Sequence, residues 1–330
     1  MTNILYLLVN FVINSITNKR TTFIYTFATY PQFFRLHASY FYLIKNIPKD
    51  IKAMKQLIKP YFKTLSVISP NLASKRAFNM FQKVRKKDIR DREKPFYTEA
   101  NQYTIPFGNE FIHCYSFGDE KNDIVVLVHG WDSNAGCMYK FITPLLNQNK
   151  HVVSFNLPGH AFYAESRTHL YESKEVFKTF INSLPKGRNI SIISHSFGSA
   201  VTGFGLSELD LSIDKLIFLT SPNKILDIFK DYQKLIGLGN RTFQKLKDRA
   251  SNTLGEPIEQ VNVEKRMKLA KFNHLYLLHD RADKVIPYKY SEDIHQVVSN
   301  STLISYNNIG HYRMLWNDEL IKEVMSIISS

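Results

Sequence analysis

The sequence has few cysteines. Its 330 residues include only Cys114 and Cys137, which are too few for a disulfide framework, and neither has the spacing of a metal site. We therefore expect both thiols to be reduced and buried, and we expect no metal centre and no other cofactor.

The sequence also lacks a clear signal peptide or membrane-spanning run. Residues 4–13 are apolar, but no Lys or Arg precedes them, whereas a secretory signal begins with basic residues and a spanning helix needs about 20 apolar residues. Pro31, Arg35 and His37 interrupt a second apolar stretch at 22–44. We expect a cytoplasmic protein, and contact of residues 1–45 with a membrane surface stays open.

Acidic residues are almost absent from residues 1–53, which contain Asp50 alone and follow no continuous helical or alternating pattern. A plausible alternative start lies at Met54. Our hypothesis is that translation begins there and that residues 1–53 are an apolar, basic extension outside the native protein. N-terminal sequencing of the protein from its native host, beginning at Met1 or Thr2, would contradict it.

The overall composition is that of a globular protein, with 44% hydrophobic and 22% charged residues. The formal charge of +14 could indicate nucleic acid or an anionic membrane. No cluster of Arg and Lys is interleaved with aromatic residues as in nucleic-acid motifs. We therefore expect a basic, solvated surface and no nucleic-acid partner, and the oligomeric state is left open.

The chain divides into a leader and a main domain. Apolar residues recur at helical spacing between 66 and 84, and the run from Lys83 to Lys94 is charged, which favours an amphipathic helix followed by a solvated linker. We assign 54–95 to this leader and linker, and 96–330 to the main domain.

The main domain alternates between strands and helices. Eight strands are predicted at 102–106, 111–116, 123–128, 151–155, 189–194, 214–220, 273–279 and 301–306. This pattern predicts an α/β fold with a mostly parallel central sheet and helices on both faces, and the first two strands predict an antiparallel hairpin at its edge. Between 222 and 272 only helices are predicted, as a small cap inserted into the domain.

A candidate nucleophile stands where an apolar strand ends, in the sequence Ser194-His-Ser-Phe-Gly. Ser196 occupies the serine position of G-x-S-x-G, a tight strand-to-helix turn that exposes a serine hydroxyl, with Ser194 and Gly198 at the glycine positions. The small residues leave room for the strained backbone.

A serine nucleophile needs a base and an acid that orients the base, in the chain order Ser, Asp or Glu, His for this type of fold. Asp283 and His311 follow two late strands in that order. Asp280 is a rival for the acid, although it could also cap a turn. The other histidines at strand ends are rivals for the base, and these are His129, His160, His195 and His279.

The oxyanion of an acyl intermediate needs two backbone N–H donors. We predict Phe197, which follows the nucleophile, and Trp131, in the sequence His129-Gly-Trp after the strand at 123–128. Gly130 would let the backbone turn close to the substrate, and a turn glycine followed by a core tryptophan is the alternative.

Taken together, these motifs closely resemble the α/β-hydrolase superfamily, over about residues 66–330. The sequences His-Gly-Trp, Asn156-Leu-Pro-Gly-His, His279-Asp-Arg-Ala-Asp and Gly310-His-Tyr-Arg-Met-Leu are similar to those of a bacterial group of α/β-fold hydrolases. Ser194 and Asn156 depart from the usual Gly and Asp.

The motifs and the resemblance imply a serine hydrolase that cleaves a small-molecule carboxylic ester or thioester through an acyl-enzyme. Two alternatives stay open. One is an acyltransferase with the same Ser196, Asp283 and His311, and the other is a non-catalytic binding protein on the same fold.

Overall fold

The computed structural model describes residues 51–85 and 88–330. Most of the predicted extension (1–53) and all of the segment considered for membrane contact (1–45) therefore lie outside the described residues. Within the described part of the chain, no helix combines the length and the apolar character that crossing a bilayer requires.

The centre of the fold is an eight-stranded sheet, which confirms the predicted fold class. Its strands are β1 (Asn101–Phe107), β2 (Glu110–Phe117), β3 (Ile124–Val128), β4 (His151–Phe155), β5 (Ile190–His195), β6 (Ser212–Leu219), β7 (Lys271–Asp280) and β8 (Ser301–Tyr306). The spatial order is β1-β2-β4-β3-β5-β6-β7-β8. Strands β3 to β8 pair in parallel, while β1 and β2 form the expected antiparallel hairpin at one edge.

The helices of the described chain are α1 (Ile51–Ile68), α2 (Pro70–Phe81), α3 (Lys94–Glu99), α4 (Ile142–Asn147), α5 (Leu170–Asn182), α6 (Phe197–Leu206), α7 (Ile225–Ile236), α8 (Asn240–Leu254), α9 (Val263–Met267), α10 (Lys289–Val297) and α11 (Asp318–Ser329). Short 3₁₀ segments at Asp91–Glu93, Ala135–Phe141, Ile258–Gln260 and Arg313–Trp316 complete the secondary structure.

Helices cover the central strands of the sheet on both faces, so the side chains on both faces are apolar. All five residues of β3 are buried, as expected of a parallel strand between two layers of helices. Val126 faces a cluster with α5 and α6, and its neighbour Val125 faces a second cluster with α4 and α11. Side chains alternate along a strand, so adjacent residues serve opposite layers.

The described chain forms two compact units. The first contains residues 51–81 and Ile228–Thr253, and the second contains Gln82–Asp227 and Leu254–Ser330. Within the first unit, the Tyr232 hydroxyl donates to the Ala77 carbonyl (2.9 Å), and the rings of Phe81 and Phe229 lie 4.4 Å apart. These contacts join α2 to α7. The domain boundaries suggested by the sequence, at 54–95 and 222–272, stay predictions.

Where the sequence predicted one helix over 66–84, the structure has the end of one helix and the whole of another. Helix α1 ends at Ile68 and α2 begins at Pro70. Proline suits the first turn of a helix but disfavours helical backbone at the residue before it. Ser69 therefore separates two helices where spacing alone predicted one.

The interpretation of Lys83 to Lys94 as a solvated linker is wrong at Glu93. The Glu93 side chain is 1% exposed; its Oε2 atom accepts hydrogen bonds from Asn134 Nδ2 (2.9 Å) and the Arg90 backbone N–H (3.0 Å). A buried carboxylate needs such partners. The segment is thus anchored to the loop after β3, a contact that charge pattern alone could not show.

Candidate active site

Ser196 occupies a sharp turn between β5 and α6. Its φ and ψ are 53° and −120°, a region that residues with a side chain rarely adopt and that stores strain. The Ser196 backbone N–H donates to the Leu219 carbonyl at the end of β6 (2.9 Å), which holds the turn against the sheet. The hydroxyl is thereby presented at the carboxyl ends of the parallel strands.

Ser194 takes the first small-residue position of the turn and is fully buried. Its hydroxyl is 2.8 Å from that of Thr202, one turn further along α6 than Gly198. Burying a hydroxyl without a partner is unfavourable. The Thr202 hydroxyl therefore explains how a serine replaces the usual glycine, and the sequence motif gave no sign of this pairing.

Gly198 lies where α6 meets β3. A Cβ atom at this position would stand 2.5 Å from the His129 carbonyl oxygen and 2.6 Å from the Val128 carbonyl oxygen. Both neighbours are backbone atoms that are fixed by the sheet and its following loop. The second glycine position of the motif is therefore dictated by close packing.

We expect Gly198→Ala to destabilise the fold by about 1 to 3 kcal/mol, since overpacking must push α6 away from β3. Denaturant unfolding measures the change. Gly239→Ala is the control, because φ at Gly239 is not positive and a Cβ there would meet only Ser66 Cβ, at an ordinary contact distance of 3.7 Å. Equal destabilisation of the two variants would contradict the packing argument.

Ser196, His311 and Asp283 come together in a continuous chain of hydrogen bonds. The Ser196 Oγ atom is 3.0 Å from His311 Nε2, and His311 Nδ1 is 2.8 Å from Asp283 Oδ2. With the Nδ1–H donated to the carboxylate, Nε2 keeps a lone pair that accepts the serine O–H. This is the geometry in which an imidazole removes a proton from a hydroxyl.

The Asp283 carboxylate is held in its ionised form. Burial raises the pKa of Asp283, but hydrogen bonds from His279 and His311 outweigh it, so that the pKa lies well below its ordinary value. The other oxygen, Oδ1, accepts from the backbone N–H groups of Val285 (2.7 Å) and Ile286 (3.1 Å). The loop after β7 therefore fixes the carboxylate toward the histidine.

Asp280, the rival acid, has another role. Its Oδ1 atom accepts from the Ala282 N–H (2.8 Å), and its Oδ2 atom accepts from the Gly310 N–H. Asp280 therefore caps its own turn, as the sequence allowed, and also ties that turn to the loop that carries His311.

The histidine next to the serine points away from the serine hydroxyl. His195 Nε2 is 3.1 Å from the His311 carbonyl oxygen, so that an Nε2–H donor links β5 to the loop of His311. Burial lowers the pKa of His195 to about 3, and the neighbouring His311 contributes. His195 is therefore neutral and supports the backbone of the histidine loop, a role that nothing in the sequence signalled.

A neutral buried histidine makes stability depend on pH. Between pH 6.5, the pKa in an unfolded chain, and about 3, the unfolded state binds one proton more at His195 than the folded state. This group should therefore lower the free energy of unfolding by about 1.4 kcal/mol for each unit that the pH falls. Between pH 6 and pH 4, the free energy of unfolding measured in urea should fall less steeply with pH for His195→Gln than for the parent. Equal dependence on pH in the two proteins would contradict a neutral, buried His195.

The remaining histidines at strand ends bind partners other than Ser196. His129 accepts from the Leu157 N–H at Nε2 (3.0 Å) and lies against the Gly130 carbonyl at Nδ1 (2.8 Å). His160 Nε2 accepts from the Asp132 N–H (3.2 Å). His279 Nδ1 is 2.7 Å from the Ser291 hydroxyl. His129 and His160 thus anchor loops, and His279 also lies beside Asp283, with its Nε2 atom 3.5 Å from Oδ2. Among the described residues, only His311 reaches Ser196.

The two predicted oxyanion donors lie on segments that flank Ser196. A Cβ atom on Gly130 would stand 3.1 Å from Ser196 Cβ, and the rings of Trp131 and Phe197 meet edge to face at 5.0 Å. The Phe197 N–H also belongs to the first turn of α6, where backbone N–H groups have no partner within the helix. The assignment of both N–H groups as oxyanion donors stays a prediction.

Comparison with known proteins identifies the family of this chain. A model of the alpha/beta hydrolase family matches residues 125–296, more than half of the chain. The chain belongs to the α/β-hydrolase family.

Individual relatives agree with that membership. The human serine hydrolase-like protein is 29% identical over 126 residues, which cover 37% of this chain and 61% of the relative; the mouse serine hydrolase-like protein is 29% identical over 37% of this chain and 40% of its own length. The chain thus matches less than two thirds of these relatives' length.

Solved structures share the fold. An esterase of Pyrococcus furiosus superposes with a TM-score of 0.54 at 17% identity, over 74% of this chain and 94% of the esterase. A thioesterase domain from the curacin biosynthetic pathway gives 0.53 at 14% identity, over 69% of this chain and 98% of the domain. At such identities the likeness concerns the fold alone.

Proposed function

We propose that this chain is a serine hydrolase that cleaves a carboxylic ester or thioester through an acyl-enzyme. The observation that carries the proposal is the chain of hydrogen bonds from Ser196 through His311 to Asp283, at 3.0 Å and 2.8 Å. A serine hydroxyl is a weak nucleophile unless a positioned base takes its proton. The serine hydrolase-like relatives support this class of reaction.

In the proposed first step, Ser196 Oγ attacks the acyl carbonyl carbon while His311 Nε2 takes the hydroxyl proton. The carbonyl oxygen becomes an oxyanion, which the Trp131 and Phe197 N–H groups bind. His311 then returns the proton to the leaving alcohol or thiol as the bond to the carbonyl carbon breaks, and the acyl group stays on Ser196. Asp283 stabilises the imidazolium that exists between these two proton transfers.

In the second step, water replaces the leaving group. His311 removes a proton from a water molecule that attacks the acyl-enzyme, and the same imidazolium protonates Ser196 Oγ as the acid departs. The proposed chemistry requires no metal or cofactor. The substrate is a small acyl compound, and the fold shared with an esterase and a thioesterase domain supports both leaving groups.

A panel of activated esters and acyl thioesters of graded chain length tests the proposal. We expect turnover of at least one member, and covalent labelling by a fluorophosphonate probe that peptide mapping locates at Ser196. Absence of both turnover and labelling would contradict the proposal and favour a binding protein. Product analysis with added alcohols and amines would show an acyltransferase if the acyl group passed to them in preference to water.

A further inference from the structure

The positive charge of the chain is concentrated in one of its two units. Residues 51–81 and Ile228–Thr253 contain twelve Lys and Arg residues against two Asp, whereas the second unit contains 26 basic and 26 acidic residues. The unit that carries Ser196 is therefore formally neutral. A basic field confined to a helical unit attracts anionic surfaces to that unit.

Within the basic unit, helices α1 and α2 are the most one-sided in charge. Their sequences hold six basic residues and no Asp or Glu. Lys59, Lys63, Lys75 and Arg76 are exposed. The helix pair thus presents cations to solvent without carboxylates of its own to neutralise them.

The turn between these two helices exposes aliphatic side chains. Val67 is 85% exposed and Ile68 is 70% exposed, the two highest values among the large apolar residues of the described chain, and Leu72 is 40% exposed. Ser69 and Pro70 join them. The other face of the pair is in the interior, since Ile58 and Phe62 are each 2% exposed. We call Val67, Ile68 and Leu72 the aliphatic tip. Exposed aliphatic side chains next to lysines are typical of surfaces that insert into a lipid interface.

We propose that this unit docks on an anionic lipid bilayer. Val67, Ile68 and Leu72 enter the headgroup region, and the lysines named above as exposed lie over lipid phosphates. Lys63 lies one helical turn before Val67, and Lys75 lies three residues after Leu72, so that their long side chains can reach the phosphates while the aliphatic tip is buried. A nucleic acid would satisfy the charges but would leave the aliphatic tip in water. A bilayer satisfies both.

Sedimentation of the full chain with lipid vesicles tests the proposal. We expect partitioning to vesicles of phosphatidylcholine mixed with phosphatidylglycerol to be at least about tenfold stronger than to phosphatidylcholine alone, since each basic residue near an anionic surface adds to the attraction. Raising the salt concentration should weaken it. Equal partitioning to both vesicle types would overturn the electrostatic part of the proposal.

Paired variants locate the contact. Val67→Ser with Ile68→Ser should weaken partitioning about tenfold or more, because two aliphatic side chains no longer leave water. Leu269→Ser is the matched control, since Leu269 is 63% exposed in the second unit. The double variant Lys63→Glu with Lys75→Glu should also weaken vesicle binding about tenfold. Its control is Lys186→Glu with Lys268→Glu, which replaces two exposed lysines of the second unit. The control should change vesicle binding less than twofold.

Hydrolysis of a water-soluble ester and circular dichroism check that each variant is folded. If the Val67 and Ile68 variant bound vesicles like the parent, the surface would lie elsewhere, for example in residues 1–50, and the proposal would be wrong. If that variant instead converted a dimer into a monomer, the tip would be a subunit contact and the proposal would also fail. Neither outcome bears on the hydrolase proposal, because vesicle binding is measured without substrate.

Discussion

Replacing Ser196 by alanine should lower kcat on an activated ester by about 10⁴-fold or more and leave KM nearly unchanged. The substitution removes the atom that forms the acyl-enzyme, so that only binding and oxyanion stabilisation remain. The base and its carboxylate would still be in place, 2.8 Å apart, but would have no nucleophile to activate. Steady-state kinetics and loss of fluorophosphonate labelling measure the effect.

Ser199→Ala is the matched control for this experiment. Ser199 lies one turn further along α6 and its buried hydroxyl donates to the Ser194 carbonyl (3.1 Å), so the variant loses a serine hydroxyl from the same helix without touching the nucleophile. It should retain activity within about tenfold, with a stability cost of about 1 kcal/mol. If Ser196→Ala retained the activity of the parent, the assignment of the nucleophile would be wrong.

Asp283→Asn should lower kcat by about 10⁴-fold, the loss found when a triad carboxylate becomes an amide. An amide nitrogen at the Oδ2 position would donate to His311 Nδ1, which would place the imidazole proton on Nε2 and point it at Ser196 Oγ. The base would then hold its proton where it needs a lone pair. The amide would also lack the charge that stabilises the imidazolium.

Asp280→Asn separates this effect from loop stability. Asp280 accepts two backbone N–H groups, and its amide variant should cost about 1 to 3 kcal/mol in the free energy of unfolding but should keep activity within about a hundredfold. Thermal unfolding and kcat measured on both variants distinguish the two acids. A larger loss of kcat in Asp280→Asn than in Asp283→Asn would reverse their roles.

Much of the fold followed from local patterns. Continuous apolar runs such as Ile124–Val128 predicted buried parallel strands, and every predicted strand lies within a few residues of its observed bounds. Most of α1, the short helix α3 and the helices α10 and α11 were not predicted. The buried residues of α11, among them Leu320, Val324 and Ile328, recur at helical spacing, so a signal for this helix was present in the sequence and was missed.

The candidate site was also predictable in part. The order of Ser196, Asp283 and His311 along the chain made them candidates, because loops at the carboxyl ends of parallel strands meet at one edge of the sheet, while the rival acid and the rival histidines stayed open until their hydrogen bonds were seen. The sequence did not predict the pairing of Ser194 with Thr202, the burial of Glu93, or the bond from His195 to the His311 carbonyl. Each joins residues whose meeting depends on the packed structure, and no local pattern encodes it.

The contacts of Asp280 and His195 have a mechanical consequence. Asp280, at the end of β7, accepts from the Gly310 N–H, and His195, at the end of β5, binds the His311 carbonyl. The loop that carries His311 is therefore held by two strands of the sheet. Local opening of this loop would have to break both hydrogen bonds. Heating should therefore abolish the proposed ester hydrolysis and the tertiary structure at the same temperature, and no inactive but folded form should accumulate below the melting point.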